Sequence, residues 1–465
     1  MSDSAIVSLP QEIVQCIAKH ADVRTAARLA ATCRHARDAV YGLSRATVPV
    51  HNSAWPARIT VCLFKDTAPR WLAHHPGCVL TWEISHTAHL PQVCFGEVES
   101  LRVIRAPSIA SLGNSFLSLT ALTIDHCDNL TCLPALLPSL VTLKIIDCRD
   151  FTELPPSLPS LTTLTIDGCP ALVSLPPLFP ALTILKVGFC PALVSLPPFF
   201  PALATLDIWE CGSLTALPSS LPALATLVIS YCDVLTSISS LFPALSVLEI
   251  MSCDLLATIS SPLPLVDALK IIDCDALTSL PDALPALARA VFYYCDALAA
   301  LPVMSPTTLD MSHCHGIVAL PPSLLALTTL KIDSCFFLTA LPPSLPALTT
   351  LELNECPALT ALSSSLPALT TLKIIECHSL AAHPDTPLAA EDVSSCPGLA
   401  ALPVPLPALV RVHVDFCGFN FKRRSTASRI RLQKLFPSVT ALRLSQCSIR
   451  VRLRPPPPST PLPRS

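Results

Sequence analysis

The amino-acid sequence predicts an α/β-type repeat solenoid that is preceded by a small helical domain. Three observations predict this fold class. Cysteines recur every 21 residues through most of the chain, leucines keep fixed positions around them, and each repeat holds one short run with the alternating pattern of a β-strand. Prolines interrupt the stretch between successive runs, which leaves no room for a long helix.

The cysteine spacing defines the repeat. Nine cysteines follow one another at steps of 21 residues, and two steps of 19 residues interrupt the later series. Aligned on the cysteine, the repeat reads L-x-x-L-x-I-x-x-C-x-x-L-x-x-L-P-x-x-L-P-x. Ala106 stands at the cysteine position one period earlier and Cys447 closes a last copy, which gives about seventeen rungs. The fifteen cysteines that obey the rule are Cys127, Cys148, Cys169, Cys190, Cys211, Cys232, Cys253, Cys274, Cys295, Cys314, Cys335, Cys356, Cys377, Cys396 and Cys417.

Each position of the repeat has a physical role. In the run LTTLTIDGC, alternation directs Leu164 and Ile166 inward and Thr165 outward. Neighbouring runs are expected to pair as parallel strands about 4.8 Å apart. The proline-rich return is expected to be extended or polyproline-like, since proline donates no backbone hydrogen bond.

This pattern resembles the leucine-rich repeat, and it is similar to the plant-type form with C-x-x-L-x-x-L-P, over residues 96–450. The resemblance implies an arc whose parallel sheet lines the concave face, with the extended segments on the convex side. It also implies that the cysteine turns inward where the strand ends. Cysteine suits that place because it behaves as a small hydrophobic residue with a weak S–H donor.

The cysteine column predicts no metal site. A column of single cysteines offers no C-x-x-C pair for a tetrahedral ion. His313 and His315 flank Cys314, and a strand end is expected to direct the two imidazoles apart. No cofactor is expected either, because the ten scattered glycines form no phosphate-binding loop.

The outward positions vary between repeats, so recognition is expected there. Five of the nine lysines stand in one column, four residues before the cysteine, and acidic residues interleave with them. This column fits either a partner-binding row or a solvated ladder of cross-strand pairs.

Aromatic residues cluster at the two positions directly before the cysteine. Between Cys190 and Cys295 these positions hold three of the four tyrosines and the one tryptophan of the repeats. Exposed together they predict an interface, whereas packing against loops would give them no binding role. The partner-binding residues predicted on the concave face are Phe189, Trp209, Tyr231, Met251, Ile272, Tyr293, Tyr294, Lys186, Asp207, Glu249 and Lys270.

The N-terminal segment, residues 1–45, has no trace of the repeat. Its spaced apolar residues predict two or three short amphipathic helices, with Pro10 at a helix start. The opening LP-x-E, the break D-V-R-T and the run R-L-A-x-T-C-R resemble an F-box, which implies docking on the adaptor of an SCF-type cullin–RING ubiquitin ligase. A helical cap of the solenoid is the alternative. The adaptor-binding residues implied by the resemblance are Leu9, Pro10, Ile13, Ile17, Val23, Leu29 and Cys33.

The remaining segments flank the repeats. Residues 46–95 hold the strand-like runs RITVCLF and CVLTWEI and are expected to form degenerate first rungs or a linker. From Arg411 onward there are 12 Lys or Arg against one acid, and residues 422–434 form a basic segment. Such a segment fits a solubilising cap better than a nucleic-acid contact, since few aromatic residues interleave with it. Residues 451–465 are expected to be a disordered, proline-rich tail.

The sequence thus predicts a non-catalytic substrate receptor of an SCF-type ligase, with an adaptor and a target protein as its partners. A stand-alone leucine-rich-repeat scaffold without a ligase role is the alternative. A catalytic cysteine is not expected, because candidates such as Cys148 belong to the inward column. Prolines interrupt every apolar stretch, so no membrane span is predicted. The opening MSDSAIVSLPQEI has no signal-peptide pattern, so the chain is expected to be intracellular, in the cytoplasm or the nucleus.

Overall fold

A computed structural model describes the backbone of residues 44–48, 59–63, 80–85, 98–112, 116–322, 324–377, 379–380, 406, 408–415, 441–445 and 449–452, with side chains described between 99 and 413 of that set. The chain forms two compact units, residues 1–225 with 230–232 and residues 226–229 with 233–465. The helical segment predicted for residues 1–45 lies outside the described residues except for Ser44 and Arg45.

The first unit is a sheet built from one strand per repeat. Strands β3 to β9 pair in parallel, each with the next along the chain. At its N-terminal end β1 pairs antiparallel with both β2 and β3, so β1 and β2 do not stack as rungs. The strands are β1 (Ser44–Val48), β2 (Ile59–Leu63), β3 (Leu80–Ser85), β4 (Val98–Ile104), β5 (Ala121–Asp125), β6 (Thr142–Ile146), β7 (Thr163–Asp167), β8 (Ile184–Gly188) and β9 (Thr205–Trp209).

The second unit repeats this arrangement after β10 (Thr226–Ser230), the strand within which the two units divide. Its main strands pair in parallel from β12 to β23, and β24 closes the series antiparallel to β23. The main strands are β12 (Val247–Met251), β14 (Ala268–Ile272), β16 (Arg289–Tyr293), β18 (Thr308–Ser312), β19 (Thr329–Asp333), β20 (Thr350–Asn354), β21 (Thr371–Ile375), β22 (Arg411–Asp415), β23 (Ala441–Ser445) and β24 (Ile449–Arg452).

The return segments contain no helix among the described residues. They are turns, with short parallel pairs where neighbouring returns meet. The paired return strands are β11 (Ser237–Ile238) with β13 (Thr258–Ile259), and β15 (Ala283–Leu284) with β17 (Val303–Met304). The predicted fold class, a parallel repeat solenoid with an extended return side, is confirmed.

The core of each repeat follows the alternation of the sequence. In β7 the side chains of Leu164 and Ile166 are fully buried, and the outward residues between them are half-buried. Each buried leucine stabilises the fold by about 1.5–3 kcal/mol relative to an exposed one. Phenylalanines occupy one return position of some repeats, and Phe179 stacks on Phe200 with ring centroids 5.9 Å apart.

Threonines that precede the strands add hydrogen bonds between repeats. The hydroxyl of Thr349 donates to the carbonyl oxygen of Thr328 over 2.9 Å, and Thr370 donates to Thr349 over the same distance. These bonds satisfy a polar side chain at the margin of the core, which explains why L-T-T-L recurs in the sequence.

Strand β21 pairs directly with β22, and Thr371 is the register partner of Arg411. The rung predicted to end at Cys396 lies outside the described residues. At the chain end, β24 extends to Arg452, two residues into the segment predicted to be a disordered tail.

We call the cysteines of the 21-residue series the ladder cysteines. The residue directly before each ladder cysteine from Cys127 to Cys377, and before Ala106, has a left-handed backbone; we call it the strand-end position. Its φ is between 47° and 57° at thirteen non-glycine residues from Arg105 to Glu376, and 66° at Gly168. The N–H of this residue continues the ladder beyond the strand, as in the 3.0 Å bond from Phe189 to the carbonyl oxygen of Trp209. A non-glycine residue in this conformation costs about 1 kcal/mol or more.

This cost makes a prediction about stability. Glu210 is exposed and has φ 49°, so Glu210→Gly should raise the free energy of unfolding by about 0.5–1 kcal/mol. Gly168→Ala should lower it, because the added Cβ would stand 3.1 Å from the Cα of Asp147 in a strained backbone. Urea unfolding followed by circular dichroism measures both changes. Asp207→Gly, in the middle of β9, is the control and should destabilise; a similar loss for Glu210→Gly would contradict the account.

Candidate functional site

The outward face of the first unit contains an ion pair between neighbouring strands. Lys186 of β8 and Asp207 of β9 are direct neighbours in the sheet and form an ion pair of 3.0 Å. The indole of Trp209 lies over Gly188, its partner in the register, since a Cβ at Gly188 would overlap the ring. Glycine at that position therefore provides the space that the tryptophan ring occupies.

The outward face of the second unit carries a continuous apolar row. Met251, Ile272 and Tyr293 are neighbours in register on β12, β14 and β16, and all three are half-buried. The phenol of Tyr293 donates to Asp310 over 2.9 Å. Burial, and then the hydrogen bond to this carboxylate, raises the pKa of Tyr293 to about 12, so the phenol remains a donor at neutral pH.

The charged column beside this row is paired across strands. Lys270 contacts Glu249 at 3.6 Å, and Glu352 contacts both Lys331 at 3.6 Å and Lys373 at 3.9 Å. These side chains are all partly exposed, so each pair contributes at most about 1 kcal/mol. The alternating lysines and acids thus neutralise one another along the sheet and leave the apolar row as its most distinctive feature.

The two positions before the cysteine form different surfaces. The strands end at the second position before it, which holds Gly188, Trp209 and Tyr293. The strand-end residues Phe189, Tyr231 and Tyr294 belong to the turn and are exposed. The eleven predicted partner-binding residues therefore divide between the sheet face and the turn, and between the two units. The predicted adaptor-binding residues lie outside the described residues: Leu9, Pro10, Ile13, Ile17, Val23, Leu29 and Cys33.

The ladder thiols are buried corner groups. Between Cys127 and Cys377 every described ladder cysteine is fully buried, and only Cys132, which is off the ladder, is half-buried. Each thiol lies against a backbone carbonyl, as Cys190 does at 3.1 Å from the oxygen of Gly188. Burial raises the pKa of Cys169 to about 12 and that of Cys211 to about 11.

Cys148 follows the same pattern. A hydrogen bond shared with the Cys127 thiol, and then burial, raises the pKa of Cys148 far above its ordinary value. The thiol therefore stays protonated at neutral pH, whereas a nucleophilic cysteine requires the thiolate.

One exposed group of the first unit has the composition of a cation site. His126 contacts the carboxylates of Asp125 and Asp147, and ligand atoms of all three lie within 4.8 Å of one another. The hydrogen bond to Asp125 is the main cause that raises the pKa of His126. Contact of the imidazole with the half-buried carboxylate of Asp125 and the exposed one of Asp147 accounts for this cluster without an ion.

The structure brings together residues that the sequence analysis did not connect. The rings of His313 and His315 are 6.2 Å apart, so the expectation that they point in different directions is wrong. The left-handed backbone at His313 bends the chain. The bend brings His315, the residue after Cys314, back beside His313. Aspartate follows the cysteine in four consecutive repeats, at Asp233, Asp254, Asp275 and Asp296. Aligning the repeats on the residue after the cysteine would have found this row.

No protein-family model matches the chain, and no curated protein sequence matches it either. Among the described residues, no helix is long and apolar enough to cross a membrane.

The burial of the thiols predicts their reactivity. Iodoacetamide at pH 8 should modify Cys132 in the folded protein and leave the ladder thiols, such as Cys190 and Cys274, unmodified until urea unfolds the repeats. Mass spectrometry of proteolytic peptides measures the modification at each site. Cys132→Ser is the control, since it removes the one thiol that is half-buried among the described cysteines and leaves the ladder cysteines in place. Equal labelling rates at Cys190 and Cys132 would contradict the burial of the ladder.

Proposed function

We propose that this chain is the non-catalytic target receptor of an SCF-type cullin–RING ubiquitin ligase. The F-box-like segment, through residues such as Leu9 and Pro10, binds the adaptor, and the repeat sheet binds the protein to be ubiquitinated. Such an assembly operates in the cytoplasm or the nucleus. The solenoid itself fits a protein-interaction scaffold, since its core positions are constant and its outward positions vary.

The apolar row of the second unit is the observation that carries the proposal. Met251, Ile272 and Tyr293 present neighbouring apolar surfaces on strands about 4.8 Å apart. The ladder of hydrogen bonds holds this row before a partner arrives, so little conformational entropy is lost on binding. Large apolar and aromatic side chains of this kind dominate binding energy in protein interfaces.

The first unit offers a second set of aromatic residues for the same role. Phe189 and Tyr231 are exposed strand-end residues. Trp209 stands between them in the sequence, and its indole lies over Gly188. Tryptophan and tyrosine are enriched among the residues that contribute most to binding, because they bury a large area with few rotatable bonds.

The adaptor contact is tested by co-precipitation of purified adaptor with the full chain. Leu9→Ala combined with Pro10→Ala should reduce adaptor recovery at least tenfold, since it removes two apolar contacts of the motif. Gln11→Ala with Gln15→Ala is the matched control in the same segment and should leave recovery unchanged. Adaptor recovery that is absent with the unaltered chain, or equal for both double variants, would refute the ligase role and leave the stand-alone scaffold.

The target contact is tested by affinity purification of the full chain from cells and mass spectrometry. Met251→Ser with Tyr293→Ser should remove most of the co-purified target while adaptor recovery stays the same, because the apolar row is lost from the sheet face alone. Leu265→Ser with Val303→Ser removes two exposed apolar side chains from the return segments and is the matched control. Unchanged target recovery with the first pair would show that the row does not bind the target.

A further inference from the structure

The second unit has an exposed aromatic stack that the proposed function does not use. We call the strand-end positions and the positions directly after the cysteines, from Ser252 to Phe336, the turn edge. Tyr294 stacks on His313 and His315 stacks on Phe336, each pair with ring centroids 4.5 Å apart. His313 and His315 meet edge to face at 6.2 Å. Four rings thus form a continuous stack across three consecutive repeats.

The stack is held in place, and its two outer rings, Tyr294 and Phe336, are exposed. His313 Nδ1 lies 2.8 Å from the hydroxyl of Ser312, and the backbone N–H of His315 donates to the carboxylate of Asp296 over 3.3 Å. Tyr294 is 46% exposed, Phe336 42% and its neighbour Phe337 61%. Aromatic rings at this exposure are costly in water, and their fixed geometry presents flat faces to an incoming group.

Carboxylates continue the same edge on its N-terminal side. Asp254, Asp275 and Asp296 follow the cysteine in three consecutive repeats and are exposed, and Asp273 stands at a strand-end position beside them. No lysine or arginine occupies a turn-edge position from Ser252 to Phe336. Burial, and then the charges of Asp296, Asp273 and Asp254, raises the pKa of Asp275.

We propose that this turn edge docks an arginine-bearing extended segment of a partner protein. The guanidinium groups stack on the exposed rings of Tyr294 and Phe336 and pair with the carboxylates of Asp275 and Asp296. Arginine fits better than lysine because its planar group stacks on aromatic faces and donates to a carboxylate in a fixed fork. The inference rests on the proposed function in one respect, namely that the solenoid binds proteins.

The repeat spacing favours a polyproline-like conformation of the bound segment. Residues three apart in a polyproline helix lie about 9.3 Å from one another on the same side. Two repeats of the sheet span about 9.6 Å. A segment with an arginine at every third residue therefore places one guanidinium at every second repeat of the edge. Arginines at every second residue would not match the spacing of the repeats.

The chain's own basic segment, residues 422–434, is a competing occupant. It carries Arg423 and Arg424 side by side and has no proline, so it does not have the spacing that the edge favours. A partner segment is therefore the occupant that charge and spacing support together.

The test measures binding of fluorescent synthetic peptides to the purified full chain by anisotropy. The probe is a nine-residue peptide of three Arg-Pro-Pro units. It should bind at least fivefold more tightly than its lysine counterpart and much more tightly than its neutral citrulline counterpart, with affinity falling as salt rises. Equal binding of the arginine and citrulline peptides, or none of either, would overturn the proposal.

Matched variants locate the site. Asp275→Asn with Asp296→Asn should weaken the arginine peptide about fivefold to tenfold, and Phe336→Ala about threefold. Asp150→Asn with Glu153→Gln removes two exposed acids from the first unit and should leave affinity unchanged. Equal losses with both double variants would show that net charge alone attracts the peptide. Tighter binding by Arg423→Gln with Arg424→Gln would show that the chain's own segment occupies the edge. Either result overturns the proposal.

The same assay separates this inference from the ligase proposal. Leu9→Ala with Pro10→Ala should not change peptide affinity, because the turn edge needs no adaptor. Loss of adaptor binding with unchanged peptide binding refutes the ligase role alone. Intact adaptor binding without peptide binding refutes the turn-edge site alone.

Discussion

The left-handed residue before each ladder cysteine from Cys127 to Cys377 is the constraint on which the described repeats depend. A strand that continued in extended conformation would carry the chain away from the core, and the next return could not begin. One residue with positive φ bends the chain, and its N–H still donates to the neighbouring repeat, so the ladder loses no hydrogen bond at the corner. The cysteine then enters the core beside a carbonyl oxygen, where a larger side chain would not fit and a charged one would be unpaired.

Much of this fold could be predicted from the sequence because its determinants are local and repeated. The inward leucines and the cysteine determine where each strand lies, which of its faces is buried and which strands pair with it in parallel. The sequence alone could not show that the charged column is paired across strands, because lysine and glutamate suit both a binding surface and a solvated ladder. The stack around His313 and His315 was missed because it depends on a backbone bend that no glycine marks.

Adjacent residues of the sequence lie on different surfaces because the strand ends between them. Tyr293 belongs to the sheet face, where it donates to Asp310, while Tyr294 belongs to the turn edge, where it stacks on His313. The sheet face is apolar with internally paired charges, so the proposed target must supply shape and apolar area. The turn edge is aromatic and acidic, so the proposed arginine-bearing segment supplies cations. One repeat can thus vary two surfaces independently, by changing neighbouring residues.

The left-handed corner also explains which residues can vary there. Most non-glycine residues incur a similar cost in this conformation, but β-branched ones incur more because their Cβ substituents crowd the backbone. In the sequence, aspartate, glutamate, serine, histidine, tyrosine and phenylalanine all precede a ladder cysteine, and valine, isoleucine and threonine never do. One position earlier, within the strand, isoleucine occurs at Ile146, Ile272 and Ile375. The absence of β-branched residues is therefore the sign of the bend in the sequence. The backbone at this position is constrained, whereas its side chain can vary among the other residue types.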